Sequence, residues 1–340
     1  MLYYTRCGAE VAIPRSSAAR IVWTKSDKRR ISGRLAVLNC FDPWSSPMCT
    51  CGPKLSLDVY AGCGYECFYC YTSSYNWKYW GRDKVRPKKN LLRRLERDIR
   101  KIHGGADAEL ASLADAFVAV SNSSDPYPTA PQANEAELQL TRQALAALTE
   151  GGLRILLLTK SDMLARDLGV LDPTRTVIGT TITTDSEELA ARMEPFCPSP
   201  ERRLAALAQA AEAGFATLCR IDPVIPGLND AEDALARLIG NACAAGARHV
   251  IASTLKLQPS SAKRFRERFP EVAAVVAPSY DRSRKISGYH YLQEPVRRRY
   301  MERVHALALQ HGMGFSSCRE GFADLNTLRC DGRHLMRDQA

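Results

Sequence analysis

Apolar and polar positions alternate along most of the chain in two kinds of block. Six blocks are short and almost continuously apolar, and the longer blocks between them repeat leucine or alanine every three or four residues. Continuously apolar runs predict strands that are buried on both faces, whereas the longer intervals predict amphipathic helices. The predicted strands lie at residues 55–62, 114–121, 153–160, 177–184, 215–227 and 248–257.

The helix-like blocks separate these strands. Residues 134–152, 200–215 and 229–247 have helical spacing, and in the last block we expect Asn229 as the N-cap and Gly246 near the end. Strands that alternate with helices predict a parallel sheet covered on both faces. Six such units favour an α/β fold, a partial (β/α)6 TIM-like barrel. Functional groups would then gather at the carboxyl ends of the strands.

The rhythm divides the chain into three segments. Residues 1–54 are predicted to form an irregular N-terminal extension and residues 55–257 the barrel. Residues 258–340 are predicted to form a helical and loop-rich C-terminal region that contains Cys318 and Cys330.

Composition narrows the class of protein. With 45% hydrophobic and 25% charged residues among 340, the chain is typical of a soluble protein. It has no signal-peptide core and no apolar run near the roughly 18 residues that a membrane span requires, so we expect a cytoplasmic protein without a membrane partner. Twelve cysteines in the reducing cytosol do not predict disulfides. Cys219 and Cys243 lie in apolar blocks and are predicted to be core thiols.

The chain is basic, with 47 − 37 = +10 charges. From Lys78 to Arg94 there are eight Lys or Arg residues against one Asp, close to Trp77 and Trp80. This pattern predicts either contact with a nucleic acid, through phosphates and stacked bases, or a solvated basic approach to a helix. The basic runs Arg282–Lys285 and Arg297–Arg299 are predicted to be ordinary solvated faces.

Three cysteines follow the first predicted strand. Cys63, Cys67 and Cys70 lie within eight residues, next to Gly62 and Gly64, which give the loop freedom to wrap a metal. Three thiolates on one loop can bind three irons of a [4Fe–4S] cluster and leave the fourth iron open. An open coordination position is typical of a reactive metal site.

Other metal sites remain open at this point. Cys49 and Cys51 could complete a four-thiolate zinc site together with Cys67 and Cys70. In the tail, Cys318 and Cys330 could bind a second metal, or be packed or surface thiols.

The cysteine motif carries a family resemblance. The spacing C-x3-C-x2-C, with Tyr69 directly before the last cysteine, resembles the signature of the radical S-adenosylmethionine (SAM) superfamily. The resemblance implies a partial barrel and a [4Fe–4S] cluster whose open iron binds SAM. It also implies that the reduced cluster cleaves SAM to a 5′-deoxyadenosyl radical, which abstracts hydrogen from a substrate. The electron would come from an external flavodoxin- or ferredoxin-like donor.

Further motifs narrow the resemblance. CFYCY, SSDPY, LTKSDMLARDLGVL and MEPFCPSPERRLAAL, between residues 55 and 230, resemble the spore photoproduct lyase-like branch, whose members are described as DNA-repair photolyase-like. Position by position, this resemblance implies that the three cysteines bind the cluster. It implies that four further residues lie near SAM, namely Tyr69, Ser124, Lys160 and Thr183.

One position departs from the branch. The dimer-repairing lyase has a hydrogen-donor cysteine directly before the motif serine, and here that position is Ser123. A hydroxyl bond is too strong to replace a thiol in this role, so Tyr71 and Tyr127 are the candidate donors. We therefore expect a radical SAM enzyme, lyase-like, that acts on a nucleic acid or a nucleotide lesion. The alternatives are radical modification of a small molecule, peptide or tRNA, and a zinc-stabilised nucleic-acid-binding module without catalysis.

Overall fold

A computed structural model of the chain describes residues 24–41, 46–50, 54–129 and 135–336. The strands are β1 (Asn39–Cys40), β2 (Leu55–Leu57), β3 (Tyr60–Ala61), β4 (Arg86–Pro87), β5 (Phe117–Val120), β6 (Arg154–Thr159), β7 (Thr176–Thr181), β8 (Ala216–Val224), β9 (His249–Thr254) and β10 (Gly314–Ser317).

The helices cover the outside of the main sheet and its two ends. They are α1 (Lys25–Arg34), α2 (Leu91–His103), α3 (Ala108–Ala111), α4 (Glu135–Leu138), α5 (Leu140–Glu150), α6 (Leu164–Asp167), α7 (Glu187–Met193), α8 (Pro200–Glu212), α9 (Glu232–Ala244), α10 (Pro259–Arg268), α11 (Pro270–Val276) and α12 (Glu294–Gln310).

Eight strands form the main sheet, in the order β1-β2-β5-β6-β7-β8-β9-β10. Every pairing from β2 to β10 is parallel, and β1 adds to β2 in the antiparallel direction. Among the described residues β1 and β10 are the two edges, so the sheet is open. This mainly parallel α/β sheet agrees with the expected partial barrel.

Each of the six predicted strands overlaps an observed one. β2, β5, β6, β7, β8 and β9 lie in or overlap the apolar blocks, because Val, Ile and Leu suit a strand buried on both faces. The first block is divided after Leu57. Its second part, β3, pairs with β4 in a separate two-stranded sheet. Asp58, which lies between β2 and β3, accepts a hydrogen bond from the Ser123 amide at 2.9 Å.

The segments on either side of the predicted barrel also contribute strands. β1 comes from the N-terminal segment and β10 from the C-terminal one. The N-terminal segment, predicted to be irregular, contains α1, which begins at Thr24 with a capping box to Asp27. β10 is only four residues long and reads GFSS, so its pattern gives no strand signal.

The prediction that Asn229 caps α9 is wrong. The N-cap is Ala231, and the Asn229 side chain instead joins two loops. It accepts from the Ile225 amide at 2.7 Å and donates to the Thr183 carbonyl at 2.7 Å, which holds the loop after β8 against the end of β7. Gly246 has φ +86° directly after the helix, as expected for a C-terminal glycine.

The amino-terminal half of the barrel interior is filled with apolar side chains. Phe117, Val177, Leu218 and Ile251 pack there together with Cys330 from the C-terminal segment. Polar groups are therefore left to the opposite end, where the strands finish. Larger apolar clusters lie between the sheet and its helices.

The other thiol and charge predictions have mixed outcomes. Cys219 and Cys243 are buried, as predicted for core thiols. Arg282, Arg284 and Lys285 are exposed, as predicted, whereas the prediction for Arg297 is wrong because that side chain is 4% exposed and belongs to an internal ion pair. None of the helices in the described part of the chain is both long enough and apolar enough to cross a bilayer.

Candidate active site

The cysteine loop lies at the carboxyl end of the first strand block and is closely packed. Gly62 and Gly64 have φ of +86° and +77°. A Cβ atom on Gly62 would lie 2.5 Å from the Tyr79 carbonyl oxygen, and one on Gly64 would lie 2.0 Å from that of Thr129. Both positions therefore require glycine, for conformation and for space.

Helix α10 holds the loop from the C-terminal side. Arg264 donates to the carbonyl oxygens of Phe68 (2.9 Å) and Cys70 (3.0 Å). The Phe68 ring packs against Phe265 and Phe269, with ring centroids 5.5 and 5.1 Å apart. These contacts could not be predicted from the sequence, because nothing in the pattern around Arg264 links it to a loop nearly two hundred residues away.

The three thiols of the loop share one desolvated environment. Burial raises the pKa of Cys63 and of Cys70, and the neighbouring Cys67 thiolate raises both further. Contact with the Cys197 thiol, 3.9 Å away, lowers the pKa of Cys67, and the Lys160 ammonium lowers it as well. Thiolates crowded out of water need a compensating positive charge, and a metal cluster provides it. The residues present therefore fit an iron–sulfur cluster.

A site for a single metal ion, such as zinc, would need several ligating side chains around one position. Within the described ranges, no group of three or more His, Cys, Asp or Glu side chains surrounds one metal-ion position. A cubane distributes its thiolates over different irons. Of the thiols proposed for a zinc site, Cys49 is buried and Cys51 lies outside the described residues.

Glu194 is the centre of a buried hydrogen-bond network beside the loop. It accepts from Thr183 Oγ1 at 3.1 Å, from Arg203 Nη1 at 2.5 Å and from the Tyr69 hydroxyl. Glu194 and Arg203 are each 1% exposed. Burial opposes ionisation of Glu194, but Arg203 and Lys160 outweigh it and hold its pKa below the ordinary value. The carboxylate is thus charged and fully partnered.

The Lys160 ammonium lies beside this network and acts on it through its charge. Its ammonium lies 5.6 Å from the centroid of the Tyr69 ring. Burial acts against the charge, but Cys67 and Glu194 outweigh it and raise the pKa of Lys160. The structure thus brings three of the four residues predicted to lie near SAM, Tyr69, Lys160 and Thr183, together around Glu194.

Ser124, the fourth residue, lies in the loop after β5. Its Oγ is buried and has no hydrogen-bond partner among the residues described. The next residue, Asp125, accepts from Thr159 Oγ1 at 2.6 Å and from the Lys160 amide at 2.9 Å. The SSDPY and LTKSD loops are therefore joined directly, which fixes Ser124 relative to Lys160.

The two candidate hydrogen donors lie in different places. The Tyr71 hydroxyl donates to the Asn122 carbonyl at 2.6 Å, and its ring lies 6.5 Å from that of Tyr289, next to the cysteine loop. The Tyr127 ring is buried in the apolar cluster between the sheet and its helices, with the Arg166 guanidinium 5.9 Å from the ring centroid.

A second polar group lies across the barrel mouth, at the ends of β8, β9 and β10. Arg220 pairs with Asp222, which also accepts from the Ser253 hydroxyl, and Lys256 pairs with Glu320 at 2.8 Å. Arg297 contacts the other oxygen of Glu320 at 3.1 Å.

The two cysteines of the C-terminal segment lie at different ends of the barrel, Cys318 at the carboxyl end of the strands and Cys330 at the amino end. Cys318 receives a hydrogen bond from Arg220 Nη2 at 3.3 Å, whereas Cys330 is buried in the apolar interior.

Several residues at this end of the barrel were not predicted from the sequence. Glu194 and Arg203 lie in MEPFCPSPERR, a motif used only for the resemblance, so the signal was present without a role attached. Lys256, Arg319 and Glu320 carry no motif at all. They become visible only when β9 and β10 bring their carboxyl ends together.

The sequence profile of the Radical SAM superfamily matches residues 57–239, more than half of the chain. An uncharacterized protein of Methanocaldococcus jannaschii is 31% identical over 186 residues, which cover 53% of this chain and 64% of that one. An uncharacterized protein of Mycobacterium tuberculosis is 28% identical over 218 residues, or 61% and 60% of the two chains. The matches thus span less than two thirds of these curated relatives.

Solved structures of spore photoproduct lyase share the fold. One mutant superposes with a TM-score of 0.62 at 14% identity, over 90% of this chain and 86% of that chain. Another mutant, with bound AdoMet and dinucleoside spore photoproduct, gives 0.60 at 14% identity, over 82% and 79%.

Proposed function

Because the chain belongs to the Radical SAM superfamily, and is therefore an enzyme whose family implies SAM and an iron–sulfur cluster, we propose a specific use of both. Cys63, Cys67 and Cys70 hold a [4Fe–4S] cluster, and the enzyme acts on a nucleic acid or nucleotide. The observation that carries the first part is the set of three desolvated thiols on one closely packed loop.

The surrounding residues would bind and orient SAM. When bound and reduced, the cluster supplies the electron that cleaves the SAM sulfonium to a 5′-deoxyadenosyl radical. The Lys160 ammonium suits a carboxylate, and the buried Ser124 hydroxyl is free to donate a hydrogen bond. Glu194 holds Tyr69 and Thr183 in place. The packed barrel wall excludes water and oxygen from the reacting atoms.

A nucleic acid is supported by the surface that follows the cysteine loop. Tyr75, Trp77 and Tyr79 are 41%, 64% and 38% exposed, and the basic segment Lys78–Arg94 continues from them. Exposed aromatic rings next to Lys and Arg are the usual platform for stacked bases and phosphates.

The spore photoproduct lyase structures support the same substrate class, since one of them holds a dinucleoside spore photoproduct. Ser123 in place of the donor cysteine argues against the same hydrogen relay. Tyr71, next to the loop, is better placed than Tyr127 to serve as the hydrogen donor.

The cofactor part is tested by anaerobic reconstitution. With dithionite replacing the flavodoxin- or ferredoxin-like donor, we expect brown protein with about four irons per chain that converts SAM to 5′-deoxyadenosine. A loaded cluster without 5′-deoxyadenosine would refute the radical mechanism. Colourless protein with one tightly bound zinc would favour the non-catalytic module.

The substrate part is tested by binding to single-stranded DNA at increasing salt. We expect the affinity to fall steeply with salt, and Trp77→Ala to weaken binding about tenfold through the loss of a stacked base. Leu309→Ala is the matched control, since Leu309 is a large apolar residue that is 46% exposed on α12. A flat salt response with no effect of Trp77→Ala would favour a small-molecule or peptide substrate.

A further inference from the structure

Arg319 differs from the other arginines at the barrel mouth. It follows β10 directly and has φ +54°, a conformation that is uncommon for a residue with a side chain. The strained backbone places its guanidinium 4.8 Å from the centroid of the Tyr289 ring. Such strain is retained when the surrounding structure requires the position.

Two nitrogens of this guanidinium, Nε and Nη2, are buried and have no hydrogen-bond partner in the part of the chain that the structure describes. The buried Tyr289 hydroxyl makes no hydrogen bond of ordinary geometry to the described residues, but it lies close to Arg319: burial raises the pKa of Tyr289, and the Arg319 guanidinium lowers it. Arg297, by contrast, donates from Nε to the Leu292 carbonyl at 2.9 Å and from Nη1 to that of Glu320 at 2.6 Å. Buried donors are normally satisfied, so two orphans on one guanidinium indicate an acceptor that the described residues do not supply.

The two free nitrogens define the shape of that acceptor. Nε and Nη2 lie on one edge of the guanidinium, where their N–H bonds point in parallel. This edge matches two oxygens of one phosphate or carboxylate. A single carbonyl or hydroxyl oxygen could accept from both nitrogens only in a bent, shared geometry, whereas two oxygens of one anion meet both N–H bonds in line.

The local charge favours a phosphate. At the ends of β8, β9 and β10 there are four cations and two carboxylates, so that 4 − 2 = +2: Arg220, Lys256, Arg297 and Arg319 against Asp222 and Glu320. Both carboxylates already pair with the first three cations, and Arg319 forms no ion pair among the described residues.

The position is suited to a substrate group. The Tyr289 ring that lies against Arg319 is 6.5 Å from the Tyr71 ring, and Tyr71 directly follows Cys70. The rings of Tyr289 and Tyr71 therefore form an aromatic layer between Arg319 and the cysteine loop. An anion held here would keep the rest of its molecule over that layer, close to the loop.

We infer that Arg319, together with the Tyr289 hydroxyl, binds a phosphate group of the substrate. The inference rests on the proposed function, since it assigns a subsite within the same barrel mouth. The phosphate could belong to a nucleic-acid backbone or to a small phosphate ester, and both present the same two oxygens.

The test measures the dissociation constants of the anaerobic full-length protein for a dinucleotide and for the matching dinucleoside without phosphate. We expect wild type to prefer the phosphate-containing probe by about tenfold or more, because charge-assisted bonds to a buried guanidinium are strong. Arg319→Gln should abolish this preference. Arg248→Gln, an exposed arginine that precedes the amino end of β9, is the matched control and should retain it.

Arg319→Lys keeps the charge but loses the two-point contact, so it should retain only part of the preference. It also serves if Arg319→Gln does not fold. Competition by inorganic phosphate without oligonucleotide binding assigns the site to a small phosphate ester, whereas tight binding of a single-stranded oligonucleotide assigns it to the polymer. A wild type without preference, or a folded Arg319→Gln variant that keeps it, would overturn the inference.

A parallel measurement separates this inference from the proposed function. SAM cleavage to 5′-deoxyadenosine is followed without substrate in wild type and Arg319→Gln. Unchanged cleavage with a lost phosphate preference supports the subsite. Phosphate preference in a wild type that cannot cleave SAM would refute the radical mechanism and leave the phosphate site standing.

Discussion

The two sides of the barrel mouth differ in whether their charged side chains have hydrogen-bond partners. Beside the cysteine loop, Arg203 pairs with Glu194, and that carboxylate also accepts from Tyr69 and Thr183. Across the mouth, Arg319 lies against an aromatic ring with two nitrogens unpartnered.

This difference in hydrogen bonding distinguishes a structural ion pair from a group that can bind a ligand. A buried ion pair with all its hydrogen bonds made holds its neighbours in one arrangement, but it has no capacity left for a ligand. A buried donor without an acceptor costs free energy in the unliganded protein, and binding regains that cost. We therefore interpret the Glu194 side as a fixed frame for the cofactor and the Arg319 side as the place where the substrate is held.

The largest effect is expected on the cofactor side. Cys67→Ala should reduce iron content and lower 5′-deoxyadenosine formation to background, because one iron loses its thiolate. Cys197→Ala is the matched control, since its thiol lies 3.9 Å from that of Cys67 but is outside the proposed ligand set. Iron analysis and product assay check both variants. If Cys197→Ala loses iron and Cys67→Ala does not, the proposed ligand set is wrong.

The next largest effect is expected on the free energy of unfolding, when Arg203 and Arg319 are each replaced by glutamine. Arg203→Gln removes the ion-pair partner of the buried Glu194 carboxylate, so the free energy of unfolding should fall by about 3–5 kcal/mol. Arg319→Gln removes an unpartnered charge, and the free energy should change by less than about 1 kcal/mol or rise. Urea denaturation measures both.

Arg237→Gln provides the baseline, because the Arg237 side chain is 57% exposed and solvent screens its ion pairs with Asp185 and Asp233, which are worth at most about 1 kcal/mol. Equal losses for Arg203→Gln and Arg319→Gln would remove the distinction between the two sides.

A smaller loss of stability is expected as the pH is lowered. Burial opposes the charge of Asp222, but Arg220 and Lys256 outweigh it and lower its pKa from 3.8 to about 2. A depressed pKa in the folded state contributes stability above the unfolded value, and this contribution is lost as the pH falls through the folded one. Unfolding free energy should therefore decline between about pH 4 and pH 2, and less steeply in Asp222→Asn. Parallel profiles would show that Asp222 does not contribute.

The parts of the site that lie close together along the chain could be predicted. Cys63, Cys67 and Cys70 share one loop, and glycines at 62 and 64 are required by their positive φ and by the nearby carbonyl oxygens. Lys160 and Ser124 were assigned through motifs that each follow an apolar strand. The prediction for Asn229 failed because its side chain bonds across two loops rather than to the nearest helix, and such a choice depends on tertiary contacts.

The local pattern alone determined the α/β rhythm, the six central strands and the three-cysteine loop, since apolar periodicity and motif spacing are properties of neighbouring residues. Only the tertiary structure decided that Arg264 would hold that loop, that β10 would extend the sheet, and that Arg203 would be paired while Arg319 was not. The physical reason is burial. Whether a charge lacks a partner depends on which distant strands end beside it, and residues adjacent in sequence carry no information about that.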